Sequence, residues 1–348
     1  MYRAGVVLSL VFLSLMAACS GNAVFESDTA PRTAANRQPT SPSATPTPFV
    51  SQPRPAIRQD RELAREIQEI AKDAEGKVGV AAVMLETGQA AEVAAQEHYP
   101  SQSVYKLPIA MAVLKLIEEG SVSMDQPVIV RPEDFVRWGF HSPIRNLYPQ
   151  GTILPVSELL RASISDSDGT ANDVLLGIAG GPERVQEYLS TLGIKDFIIA
   201  DSEKSISKDW ETQYRNWATP AASIELLWQI YERKALSDAS TNYLLQIMTD
   251  TPTAPKRLKR GLPEGASLAH KTGTGGTKDH VTGATNDIGI VTLPDGRHIA
   301  IAVYIMDSSA PAATRNDVMG KILAAAVRRW APEFALDDET SRANENRR

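Results

Sequence analysis

The sequence predicts an α/β chain of the α+β kind: an antiparallel sheet flanked by helices, with an all-helical domain inserted between its first and last strands. Three observations lead there. A helix-then-strand pattern opens the folded part at residues 60–85, helical periodicity fills 156–194, and two strands followed by a helix close it at 286–330. When strands stand at both ends and helices between them, the termini are expected to build one mixed domain that carries the helical part as an insertion. Residues at the seam of two such parts are natural candidates for a site.

Taken in order, Leu63, Ile67, Ile70 and Ala74 recur at helical spacing after Asp60, and Gly76 ends the pattern. "VGVAAVML" at 78–85 is an unbroken apolar run of strand length. "HYPSQSVYKLPIAMAVLKLIEEG" at 98–120 is a long apolar helix with Lys106 at its edge, three residues after Ser103. Positions three apart share a helix face, so that hydroxyl and that ammonium can meet. A Pro-punctuated polar region runs to Pro155, after which "VSELLRASI", "NDVLLGIAG" and "PERVQEYLSTLGI" predict three helices. "NDIGIVTLPDGRHIAIAVYIMD" at 286–307 predicts two strands around the turn Pro294-Asp295-Gly296. Residues 316–330 form the last helix, with Val318, Ile322, Ala325 and Val327 available for packing.

A chain of 348 residues that is 43% hydrophobic can bury one large core or two smaller ones. Its net charge of −6 is mild, and no basic patch or aromatic RNA-binding motif appears, which argues against a nucleic-acid partner. The densest basic stretch, "KRLKRG" at 256–261, fits a solvated turn. His98, His141, His270, His280 and His298 show neither His-x-His nor His-Glu-x-x-His spacing, so no metal site is expected, and no cofactor is implied.

The N-terminus carries Met1-Tyr2-Arg3 and then an apolar run from Ala4 to Met16, the pattern of an export signal too short for a good membrane span. It ends in "LMAAC", where Cys19 is the only cysteine of the chain. Residues 1–18 therefore resemble a bacterial lipoprotein signal, with Cys19 as the lipid-modified first mature residue and anchor to a membrane; an ordinary cleaved signal with an incidental cysteine is the alternative. Disulfides within the chain are impossible. Residues 19–57 are rich in Pro, Ser and Thr, too poor in large apolar groups to offset the entropy of ordering, and are expected to be an extended tether. The folded domain is expected over 58–332 and a charged, frayed tail over 333–348. The expected product is exported, periplasmic or in the cell envelope, and monomeric.

Ser-x-x-Lys is a cheap pattern, of which about one copy arises by chance in a chain of this size. A second copy, Ser205 to Lys208, has Asp209 and Glu203 at hand to pair with a solvated ammonium. Lys106 is followed instead by Leu107, Pro108, Ile109, Ala110 and Met111. Burial disfavours a charged ammonium, and only the first copy has neighbours that supply it; a lysine neutralised there could act as a base. The plain alternative is a lysine snorkelling from a helix end.

Two more short motifs follow the first: Ser167-Asp168-Gly169 between helical segments, and "HKTGTGG" at 270–276 before the final strands. In this order and spread they resemble the class A serine β-lactamases, with their Ser-x-x-Lys, Ser-Asp-Asn and Lys-Thr-Gly set. The resemblance covers about residues 60–332 and implies a β-lactamase/transpeptidase-like fold. "QYRNWATP" and "ATNDIGIVTLPDGR" look like the extended-spectrum PER-like and VEB-like branch, which implies penicillins and cephalosporins as small-molecule substrates.

By that resemblance Ser103 attacks the lactam carbonyl to form an acyl-enzyme, with Lys106 or a carboxylate-held water as base. The backbone N–H groups of Ser103 and Thr274 would form the oxyanion hole. Ser167 would pass a proton to the departing nitrogen, and Lys271, Thr272 and Thr274 would hold the substrate carboxylate while Gly273 keeps the strand edge open. Glu203, thirty-six residues past Ser167, would activate the deacylating water, with Asp201 and Glu211 as rival carboxylates. The chain departs from the family pattern at Gly169, which lacks the amide that contacts the acylamino side chain, at Ser207, where an Asn usually shares the water, and at Asp173, where many members carry Asn. His141 falls where relatives place an aromatic over the site, and equally fits an exposed loop. A penicillin-binding DD-peptidase or penicillin-sensing domain shares all of this chemistry except the deacylating glutamate. A non-catalytic, cell-wall-binding lipoprotein is a reading of a different class.

Overall fold

Asp60 accepts a hydrogen bond from the Leu63 N–H at 3.1 Å and so starts the first helix, which buries Leu63 and Ile67 against the sheet. The computed structural model describes residues 53–335 apart from residue 207. The signal segment, Cys19, the tether up to residue 52, Ser207 and the tail from 336 lie outside the described residues.

The sheet domain holds the strands β1 (Arg58–Gln59), β2 (Lys77–Met84) and β3 (Gln89–Val93) on one side of the insertion. After it come β9 (Ser267–Thr274), β10 (Thr277–Lys278), β11 (Val281–Thr292) and β12 (His298–Ser308). The order is β1-β3-β2-β12-β11-β10, with β9 also paired to β11. Every pair is antiparallel, as the sequence predicts, except β1 with β3. Helices α1 (Arg61–Ala71) and α10 (Ala312–Trp330) cover one face. Val78, Val80, Ala82 and Met84 of β2 face them, with Ile299, Ile301, Val303 and Ile305 of β12. The alternate residues Val83, Ala300, Ala302 and Tyr304 face the other core. Side chains alternate along a strand, and both faces are covered here, which is why these strands appear in the sequence as unbroken apolar runs.

Between these halves lie the strands β4 (Tyr99–Pro100), β5 (Pro127–Val130), β6 (Thr152–Pro155), β7 (Phe197–Ile198) and β8 (Trp217–Ala218). The helices here are α2 (Lys106–Glu118), α3 (Pro143–Leu147), α4 (Val156–Ile164), α5 (Gly169–Ile178), α6 (Pro182–Thr191), α7 (Glu203–Ile206), α8 (Pro220–Tyr231) and α9 (Asp238–Thr249). Every residue of α2 from Lys106 to Leu114 is buried, as expected of a helix that is apolar on all sides. The insertion is not purely helical: β5 and β6 pair in the Pro-punctuated region where the sequence predicts no element. α5 starts three residues ahead of its predicted beginning because Asp168 caps it, and α10 starts four residues ahead of 316.

Composition assigns residues 53–57 to the tether, yet Arg54 is seated on α8. It pairs with Glu225 at 2.7 Å and Glu232 at 2.9 Å and lies 5.0 Å over the Trp228 ring. A guanidinium with two carboxylates and an aromatic face gains enough contact to hold a Pro-rich strand end in place.

Candidate active site

Ser103 sits on the 3-10 turn Gln102–Tyr105, and Lys106 opens α2 directly after it. Tight winding of that turn still eclipses residues three apart, so the serine and lysine keep the common side that their spacing predicts. Gln102 is left-handed, with φ 47°, a state that costs a residue with a side chain about 1–2 kcal/mol. The surroundings hold it there. Asn286 Nδ2 donates to the carbonyls of Pro100 (2.8 Å) and Ser101 (3.1 Å), and the Ser101 N–H donates to Asn216 O at 2.9 Å. The turn bearing Ser103 is thereby fastened to β11 on one side and to the Glu203 loop on the other.

Lys106 is buried, as its apolar neighbours predict, but its ammonium is not left in an apolar pocket. Nζ donates to Ser167 O at 2.7 Å and pairs with Glu203 Oε1 at 2.9 Å. An ion pair this deep holds only when both charges are matched and hydrogen-bonded, as they are here. Ser167 is itself left-handed, φ 58°, in the link between α4 and α5, and Asp168 anchors it by accepting from Ile144 N (2.7 Å) and Ala171 N (2.9 Å).

β9 brings the third group. Lys271 is 1% exposed, and its Nζ donates to Ser167 Oγ at 2.8 Å and to Thr272 O at 3.2 Å. Burial, and then the nearby Lys106 ammonium, push the Lys271 ammonium well below the usual lysine range. A lysine beside a Thr/Gly turn is ordinarily a surface residue; here it is core. The Gly275 N–H bonds to Ala284 O on β11. β9 lies against the turn that carries Ser103. A Cβ at Gly273 would lie 2.7 Å from Ser101 O, so only glycine lets β9 approach that turn.

Ser103, Lys106, Ser167, Glu203, His141, Thr272 and Thr274 line a single cleft of about 690 Å³. Among the described residues no group of three or more His, Cys, Asp or Glu side chains could hold a metal ion.

The model of the beta-lactamase enzyme family matches residues 62–330. The chain is 37% identical over 250 residues to β-lactamase VEB-1 of Pseudomonas aeruginosa, covering 71% of this chain and 83% of that one. The chain belongs to the class A serine β-lactamases. The extended-spectrum β-lactamase PER-1 of the same organism is 37% identical over 229 residues, 65% of this chain and 73% of the relative. The crystal structure of a β-lactamase from Chitinophaga pinensis matches with 41% identity and a TM-score of 0.74, over 76% of this chain and 98% of that one.

In this β-lactamase the departures from the family motifs have visible settings. A Cβ at Gly169 would stand 3.3 Å from His141 O and Val136 Cγ1, a tight fit, and 3.4 Å from Glu203 Cγ, in contact with that side chain. Asp173 accepts from the N–H groups of Glu203 (2.7 Å) and Lys204 (3.0 Å) and so fixes the start of α7. His141 lies on the cleft wall with Nε2 bonded to Asp166 O at 2.9 Å. Of the rival carboxylates, Asp201 pairs with Arg215 at 3.0 Å, and neither it nor Glu211 lines the cleft.

The stretch expected to be a solvated turn needs correction. Arg257 is 6% exposed, and its guanidinium donates to Gly273 O and Asn286 O, each at 2.9 Å, and to Thr274 Oγ1 at 2.6 Å. It belongs to the cleft wall, and its planar fork reaches β9 and β11 together. A run of basic residues has the same sequence whether solvated or turned inward, so nothing local marks this one.

Proposed function

We propose that this β-lactamase opens the lactam amide of penicillins and cephalosporins through an acyl-enzyme on Ser103 that Glu203 releases. The observation that carries the reading is the Lys106 ammonium, which joins the Glu203 carboxylate to the Ser167 carbonyl inside the cleft that Ser103 lines. Ser103 Oγ attacks the lactam carbon, and its proton goes to Lys106, once that ammonium has passed a proton to Glu203, or through a held water to the Glu203 carboxylate. The 2.9 Å contact between those two groups lets a proton received by one pass to the other. The Ser103 and Thr274 N–H groups stabilise the oxyanion, where one donor is typically worth about 3 kcal/mol.

As the C–N bond breaks, the nitrogen receives a proton from Ser167 Oγ, which recovers one as the Lys106–Glu203 pair gives up the proton taken from Ser103; Lys271, 2.8 Å away, holds that hydroxyl in place. Lys271, Thr272 and Thr274 hold the substrate carboxylate, and Arg257 stiffens that wall through Thr274. Glu203, ionised again, takes a proton from a water whose oxygen adds to the ester carbonyl, and that proton returns to Ser103 Oγ as the ester C–O bond breaks. Kinship with an enzyme named for an extended spectrum supports cephalosporins as substrates. The missing side chain at Gly169 leaves the acylamino group one contact fewer.

Purified protein is expected to turn over nitrocefin and benzylpenicillin, and Ser103→Ala to abolish that turnover. Stoichiometric labelling without turnover would instead indicate a DD-peptidase or penicillin sensor, and no labelling a binding lipoprotein. The basic and apolar start of the chain and Cys19 after small residues support export and a lipid anchor in the cell envelope. Incorporation of a fatty-acid analogue that disappears in Cys19→Ser is the expected result; wild type without label would leave an ordinary cleaved signal. Among the described residues no helix is long and apolar enough to cross a membrane.

A further inference from the structure

We infer that Thr253 is a positioning residue for substrate: its oxygen takes the hydroxyl proton of Thr272 and gives it up only when Thr272 turns to donate to the substrate carboxylate. This role rests on the reading of Thr272 as one of the groups that hold that carboxylate.

Four oxygens stand in a row from the end of α4 to the cleft. Thr251 Oγ1 lies 2.6 Å from the Ser165 carbonyl, Thr253 Oγ1 lies 2.8 Å from Thr251 Oγ1, and Thr272 Oγ1 lies 3.0 Å from Thr253 Oγ1. Each hydroxyl has one proton to give, and a carbonyl has none. Thr251, which is buried, therefore donates to Ser165 O. Its oxygen accepts from the Thr253 N–H at 3.2 Å and, with no second proton of its own, from the Thr253 hydroxyl. Thr253, whose proton points to Thr251, can then only accept from Thr272. One carbonyl at the inner end thus sets the direction of every bond in the row. Reversal would take this donor from the carbonyl of a buried residue, and a buried acceptor left unpaired costs more than a hydrogen bond contributes.

The neighbouring hydroxyls are set the other way. Arg257 donates to Thr274 Oγ1 at 2.6 Å and Lys271 to Ser167 Oγ at 2.8 Å, so both of these keep their protons for the cleft. Thr272 lines the same cleft with its proton turned toward Thr253. To hold a carboxylate it must rotate that proton outward. Thr253 can then swing its own proton from Thr251 to Thr272, or keep it where it is. Either way one hydrogen bond of the row is lost for the one gained with substrate. Thr253 therefore weakens the grip on a carboxylate by about fivefold, the worth of one ordinary hydrogen bond.

The test is Thr253→Val, which keeps the shape and removes the acceptor. Affinity is read by NMR titration with benzylpenicillin in a Ser103→Ala background, where no acyl-enzyme forms. Thr253→Val is expected to tighten binding about fivefold there, and in the active enzyme to lower KM with little change in kcat. Combined with Thr272→Val, which has no proton to turn, the same substitution is expected to leave binding where Thr272→Val alone puts it. Unchanged or weaker binding by Thr253→Val overturns the inference; so does equal tightening with Thr272→Val in place, the mark of altered packing. Should Thr253→Val not fold, neutron diffraction from the deuterium-exchanged wild type reads the row directly. The Thr272 deuteron is expected on the line to Thr253 Oγ1, and a deuteron aimed into the cleft overturns the inference. If Thr272→Val alone binds benzylpenicillin as its parent does, the reading of Thr272 and this inference fail together. Weaker binding by Thr272→Val beside an unaffected Thr253→Val sinks this inference alone.

Discussion

Asp173 shows how a single side chain can bind the stability of this enzyme to its site. Burial pushes its carboxyl up to about 6; the Lys204 N–H opposes that shift, and the Glu203 charge adds to it. The ordinary aspartate value is about 3.9, so between these two values the folded protein holds a proton that the unfolded chain has released. Stability contributed at this position is therefore present below about pH 4 and falls as pH rises toward 6, by up to about 3 kcal/mol. Asparagine keeps the shape and removes the titration. In urea unfolding at pH 4.5 and 6.5, Asp173→Asn is expected to gain about 2 kcal/mol on the wild type between the two conditions. The lost acceptor shifts both points alike, so a constant difference between the proteins would contradict the assignment. At neutral pH the site thus carries a buried charge under α7 that orients the two N–H groups leading into Glu203.

At the level of elements, legibility followed burial and length. α2 could be read because packing dictates a long run of apolar residues, α4 and α6 because their buried residues recur at helical spacing, and β2 and β12 because both their faces are covered. The spacing of Ser103 and Lys106 was legible for the same reason: a lysine followed by five apolar residues stands out against a core helix. β5, β6, α3 and the four-residue α7 were not, since segments of four or five residues take their shape from neighbours distant in the sequence. Arg257 is the clearest case, a cation whose inward turn depends on carbonyls of residues 273 and 286. Glu203 was reached through family resemblance, because a glutamate in a polar loop has no local mark of its own. What the motifs could not reveal was the bond from Glu203 to Lys106, which makes the buried lysine one member of a pair.

Across the molecule, the site exists because three parts of the chain that are distant in sequence meet. The helical domain supplies Ser103, Lys106 and Ser167, the loop after β7 supplies Glu203, and the sheet supplies Lys271 and Thr274. Their alignment has a structural basis in the small sheet β4-β8-β7, which joins the strand before the Ser103 turn to both ends of the Glu203 loop. Asn216 completes it, accepting from Ala200 N (2.8 Å) and Asp201 N (2.9 Å) while its own carbonyl receives the Ser101 N–H. A loop fixed in this way can keep a carboxylate and a water aligned on an ester that a different domain holds. The most direct measurement is the intact mass of Glu203→Gln after brief exposure to benzylpenicillin, with the modified peptide then located. A long-lived adduct of one whole penicillin is expected on the peptide containing Ser103, under conditions that leave the wild type unmodified. Turnover at the wild-type rate without an adduct, or an adduct on a different peptide, would contradict it.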